Sequence, residues 1–124
     1  MLTAKRRPCL WLWGPVGLWM AAIFTASSQS DVGGFGGIPD WITHAAVYLV
    51  LALLLSRALA GGWGRGLPPV LAAAVVLACS AYGASDEYHQ SFVPGRDASA
   101  GDVAKDLSGA LLGALVYRRL CGGS

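Results

Sequence analysis

The chain has 124 residues, 55% of them hydrophobic and only 13% charged, and its nine Lys and Arg against seven Asp and Glu leave a formal net charge of +2. Soluble domains carry about 25% charged residues, so this composition, with a mean hydropathy of +0.53, points away from a water-soluble globule and towards one small membrane domain. The basic residues stand singly or in short clusters at the ends of apolar runs, which gives no footprint for nucleic acid.

Lys5, Arg6 and Arg7 precede the first apolar run, residues 9–26 (CLWLWGPVGLWMAAIFTA). That run ends in the small residues Thr25, Ala26, Ser27 and Ser28, so a cleaved secretory signal is the alternative to a first span. A glycine-rich loop, SSQSDVGGFGGIPD, leads to Asp40, which is placed to cap the second span, residues 41–60 (WITHAAVYLVLALLLSRALA). GGWGRGLPP at 61–69 is a tight turn into the third span, residues 67–85, which continues helically through SDEYHQ until Pro94 and Gly95 break the chain. The fourth run, residues 103–117, is short and carries Lys105 and Asp106 near its start. Each run approaches the roughly 17 to 25 residues that cross a bilayer as a helix. Because lipid leaves every backbone polar group to be satisfied internally, the expected fold is all-α, an integral membrane bundle of four transmembrane helices forming one domain over 1–124. Three spans with a re-entrant last segment is the alternative. Nothing alternates with period two over ten residues, so a β-barrel is not supported. Trp11, Trp13, Trp41, Trp63 and Tyr117 fall where interfacial anchors belong.

Asp31, Asp40, Asp86, Glu87, Asp97, Asp102 and Asp106 all fall in or beside the loops after the first and third spans. Lys5, Arg6, Arg7, Arg57, Arg65, Arg118 and Arg119 lie on the opposite side, leaving only Arg96 and Lys105 with the acids. The positive-inside rule then predicts a cell-membrane protein with both termini in the cytoplasm and the acids outside. Acids are weak topogenic signals, so their one-sidedness asks for another reason.

On a helix, Asp40, His44 and Tyr48 stack along one face, and an ionisable group inside a span is a functional candidate by default. A histidine that merely joins two helices is the alternative for His44. Asp86, His89 and Gln90 share a face at the end of the third span, with Glu87 in an adjacent direction, and Asp86 can orient His89 as a base or ligand. Asp102 and Asp106 open the fourth span at the positive end of its dipole, and Lys105 can reach outward beside them. Arg96, the single arginine on the acidic side, either neutralises the acids or grips an anionic ligand with its planar fork. Gly109 and Gly113 form a GxxxG pattern that is common by chance in glycine-rich spans. No metal or cofactor is expected. With two histidines and no nearby cysteine, the only zinc trio open to the chain is His44, His89 and one carboxylate. Cys9, Cys79 and Cys121 read as buried or interfacial thiols.

FTASSQS, PDWITHAAVYLVL and YGASDEYHQSFVPGRDASAGDVAKDLSGALLG together resemble the VanZ-like family of small polytopic membrane proteins across nearly the whole chain. The family pattern falls on Ser27, Ser28, Gln29, Asp40, His44, Asp86, Glu87, His89, Gln90, Pro94, Gly95, Arg96 and Asp102. Two positions depart from it: Trp41 stands where the family usually has Lys, and Asp106 where it usually has Asn. Without that lysine, any role in neutralising the acids or holding an anion falls to Arg96 or Lys105, or is absent. The resemblance implies an integral membrane protein; the family's named member contributes to resistance to the glycopeptide teicoplanin, while most relatives have no assigned activity.

Three functions follow as expectations. The first is binding of an amphiphile at the outer membrane face, such as a lipid-linked precursor or a lipoglycopeptide, through the cluster Asp40, His44, Asp86, Glu87, His89, Gln90, Arg96, Asp102 and Asp106, with Arg96, His44 and His89 touching the ligand. The second is a membrane-embedded hydrolase or transferase in which His89, oriented by Asp86, is the base and His44 or Glu87 the acid. A proton-coupled transporter is the third; a complete pathway through four short spans would need an oligomer.

Overall fold

The computed structural model describes residues 8–27, 40–94 and 100–122, without the side chains of Ser27, Asp40 and Ala100. Those residues form four helices and no strand: α1 (Cys9–Ser27), α2 (Asp40–Ala60), α3 (Pro69–Gln90) and α4 (Ala100–Cys121). Boundaries follow backbone chemistry. Pro68 sits outside α3 in an extended conformation and Pro69 opens it, where a missing N–H costs nothing. α2 stops where Gly61 and Gly62 adopt positive φ and both return their N–H groups to the Arg57 carbonyl, at 3.0 and 2.9 Å.

Helices α1, α2 and α3 are long and apolar enough to cross a membrane. α4 has 22 residues, seven more than the expected run of 103–117, and at about 1.5 Å per residue it is as long as the others. It carries five charged residues, Asp102, Lys105, Asp106, Arg118 and Arg119, and falls outside the apolar set. The charges sit at its two ends, and between them Leu107, Leu111 and Leu115 recur every fourth residue and stay about half exposed.

The closest packing joins α4 to α2, which run parallel. A Cβ on Gly109 would collide with the backbone of Ala45, and one on Gly113 would come within 2.6 Å of the Leu49 carbonyl and 2.8 Å of the Ala52 Cβ. The GxxxG pattern to which the sequence lends little weight is therefore the contact surface between two helices of the same chain. Tyr48, Leu51, Ala52, Val75, Cys79, Ala110, Ala114 and Tyr117 fill the core. α1 lies at the periphery, held by the Trp19 Nε1 donating to the Val47 carbonyl (3.0 Å) and the Tyr82 hydroxyl donating to the Met20 carbonyl (2.6 Å).

The end where α2 and α4 finish is basic and tightly tied. Tyr117, fully buried, donates to the carbonyls of Gly62 (3.0 Å) and Arg65 (2.8 Å), and Arg118 Nε donates to that of Leu67 (3.1 Å). Arg57, which the sequence places simply on the basic side, does more than carry charge there. It is 3% exposed, its guanidinium carbon lies 5.0 Å from the centre of the Trp11 ring, and its Nη1 donates to the Trp11 carbonyl at 3.0 Å. The cause lies in α1. Pro15 has no N–H to return to the carbonyl four residues earlier, so the Trp11 carbonyl is left unclaimed within α1 and Arg57 supplies its donor from another helix.

Candidate functional site

The opposite end, where α1 and α3 finish and α2 and α4 begin, gathers the polar residues. Parallel packing of α2 on α4 decides their pairing. With no side chain at Gly109, the α4 backbone rests on Ala45, and this brings the neighbouring His44 to Asp106, one turn earlier on α4. His44 Nδ1 and Asp106 Oδ1 lie 2.9 Å apart. The Asp106 side chain is 2% exposed and the imidazole 22%. α3 completes the seat: a Cβ on Gly83 would stand 2.9 Å from Asp106 Oδ2, so the absence of a side chain there lets the carboxylate lie against the α3 backbone. Three helices thus converge on one carboxylate.

The end of α3 turns Asp86, Glu87 and Gln90 inward, at 8%, 7% and 5% exposure. At about 100° per residue these three, with Cys79 and Gly83, span one arc of the helix, and His89 falls to its edge. The expected Asp86–His89 couple does not form. His89 instead turns towards α1 and stacks on Phe24, with ring centres 4.4 Å apart and planes 26° from parallel. Its Nδ1 is buried and has no hydrogen-bond partner among the described residues. The His–Asp couple that does form is His44–Asp106, whose members are 62 residues apart in sequence.

Lys105 Nζ donates to Asp102 Oδ1 at 3.0 Å, an i,i+3 pair on α4, so this lysine binds its neighbour as well as lying near the surface. Tyr48 continues the His44 face one turn deeper, as its spacing predicts, and is 2% exposed. Tyr82 and Gly83 are members of the site that the sequence reading misses. A glycine in the interior of an otherwise alanine-rich helix, at a cost of about 1 kcal/mol, was the available signal for Gly83. Arg96, Asp97, Ser28 and Gln29 lie outside the described residues, as does the side chain of Asp40, whose backbone opens α2.

Among the described residues no group of three or more His, Cys, Asp and Glu is arranged to hold a metal ion. The trio of His44, His89 and a carboxylate is not assembled, because the two imidazoles take different partners on different helices. What the arrangement offers chemically is a fixed imidazole. When Nδ1 carries the proton it is held by Asp106, which fixes the tautomer and the orientation of the ring.

Residues 12–121 match the model of the VanZ/LLP1 family, a stretch that begins inside α1 and ends with α4. The chain belongs to the VanZ/LLP1 family. Neither a curated protein nor a solved structure matches it. In this VanZ/LLP1 chain the matched stretch contains the whole polar end, including His44, Asp86, Glu87, His89, Gln90, Asp102 and Asp106. The resemblance read from the sequence motifs is thereby established for the family, and with three apolar helices of spanning length it makes the chain a membrane protein.

Proposed function

We propose that this VanZ/LLP1 chain crosses the cell membrane four times with both termini in the cytoplasm, and that its acidic end faces outward and binds the polar head of an amphiphile. Lipid-linked cell-envelope precursors and lipoglycopeptides are the ligands of that chemistry, and a contribution to teicoplanin resistance is one consequence of holding either. The observation that carries the reading is the burial of Asp86, Glu87, Gln90 and Asp106 at one end of the bundle. Buried ionisable groups in a membrane are expensive and face the bundle interior or a watery cavity, where they serve a ligand or an ion. A fourth span is supported by the way Asp106 is used. Hydropathy counts it as though it met lipid, whereas it is 1% exposed and bonded to His44, leaving the leucines of α4 to face outward.

The test is binding in nanodiscs, with a labelled lipid-linked cell-wall precursor and teicoplanin as separate probes. Arg96→Lys, Asp86→Asn and His44→Ala are expected to weaken one probe by about tenfold or more, at unchanged amounts of protein in the membrane. If neither probe binds, or all three variants bind as the parent does, the reading is wrong.

A second reading, a membrane-embedded hydrolase or transferase, draws on the 2.9 Å His44–Asp106 contact. His44 would then be the general base, with Asp106 as its orienting partner. Asp106→Asn separates the two readings: it keeps a hydrogen-bond acceptor for Nδ1–H, so ligand binding persists while turnover of a lipid-linked substrate falls.

A further inference from the structure

Beneath the His44–Asp106 pair, Tyr48 is, with Tyr117, among the largest fully buried side chains of the described residues, and its hydroxyl has no hydrogen-bond partner among them. A buried hydroxyl without a partner is costly, and phenylalanine would fill the same volume without that cost. The surroundings are polar on two sides. Tyr48 follows His44 by one helical turn on α2, Asp106 of α4 is bonded to that histidine, and the Tyr82 ring of α3 lies 6.4 Å away, one residue before the glycine on which Asp106 rests. Tyr82 commits its own hydroxyl to the Met20 carbonyl of α1. A buried phenol without a partner, one helical turn below a histidine-bonded carboxylate, offers polar groups of the kind that bind an internal water.

We infer that a water molecule is held between the Tyr48 hydroxyl and the Asp106 carboxylate, and that Tyr48 is a positioning residue for the His44–Asp106 pair. The bridge satisfies the phenol and gives Asp106 a second hydrogen bond besides His44. It also carries the polar region one turn deeper between α2, α3 and α4 than the pair itself reaches. Bridging water is nearly as good as a direct hydrogen bond, which is why the tyrosine is tolerated so deep in the bundle. This inference stands apart from ligand binding and holds whether or not an amphiphile is bound.

Thermal unfolding of the full chain in detergent, for Tyr48→Phe, Asp106→Ala and the double variant, tests it. With the bridge present, Tyr48→Phe lowers Tm by about 3 °C or more, and the double variant loses less than the two single losses added together. Without it, Tyr48→Phe unfolds at or above the parent temperature and the effects add, which overturns the proposal. Infrared spectra of the parent in H2-16O and H2-18O give a readout that does not depend on the folding of any variant. A narrow internal-water O–H band that shifts with the isotope supports the bridge if Tyr48→Phe removes it, and no such band in the parent refutes it.

Discussion

His44 Nδ1 on α2 and Asp106 Oδ1 on α4 meet at 2.9 Å across a contact where Gly109 leaves no side chain between the helices. The pair is buried mostly on the carboxylate side, so losing the imidazole hurts more than losing the charge. His44→Ala should destabilise the bundle by about 1–3 kcal/mol, because it strands a buried carboxylate, while Asp106→Asn should cost less than half as much by keeping the hydrogen bond. Reversible unfolding in bicelles measures both. Equal losses would mean that the charge, not the hydrogen bond, holds the helices.

Glycine positions give a graded series. Gly109→Ala meets the Ala45 backbone, Gly113→Ala meets Leu49 and Ala52, and Gly17→Ala meets nothing within 4 Å. The first two should lose about 1–3 kcal/mol through overpacking, and the third should be neutral or slightly stabilising from its better helix propensity. Gly83→Ala should act differently from all three, displacing the Asp106 carboxylate and thereby weakening whatever binds at the acidic end.

The Arg57 contact with α1 exists because Pro15 frees the Trp11 carbonyl. Arg57→Met should therefore cost about 1–3 kcal/mol in the parent and clearly less in a Pro15→Ala background, where the helix supplies its own donor. Additive losses measured by a double-mutant cycle would remove the link between the two residues.

Span number is testable by fusing a topology reporter after Phe92 and, separately, after Gly122. With α4 crossing the bilayer the two reporters lie on opposite sides and give opposite signals, the C-terminal one cytoplasmic. Like signals from both would leave α4 re-entrant or lying at the surface.

Helix number and approximate extent were readable because apolar length is a local property: three runs agree with the helices to within a few residues at most ends. α4 was read too short because Asp102 at one end and Arg118 and Arg119 at the other look like ends when met in sequence, whereas Asp102 pairs with Lys105 and Arg118 is tied to the Leu67 carbonyl within the helix's last turn. The candidate site was legible as a set of residues but not as pairs. Asp86 and His89 are three apart and sit on nearly one face, yet the buried arc of α3 is centred between Asp86 and Glu87, which turns His89 towards Phe24.

Composition and hydropathy alone determined that this chain forms apolar helices, and its motifs placed it in the VanZ/LLP1 family, since both depend only on residues and their order along the chain. Tertiary structure decided which histidine has a carboxylate, that Arg57 is a cross-helix donor, and that the α4 glycines face α2. Periodicity tells which residues share a helix face. The rotation of that face towards a neighbour is set by where small residues let two backbones touch, and that is a relation between segments more than 60 residues apart.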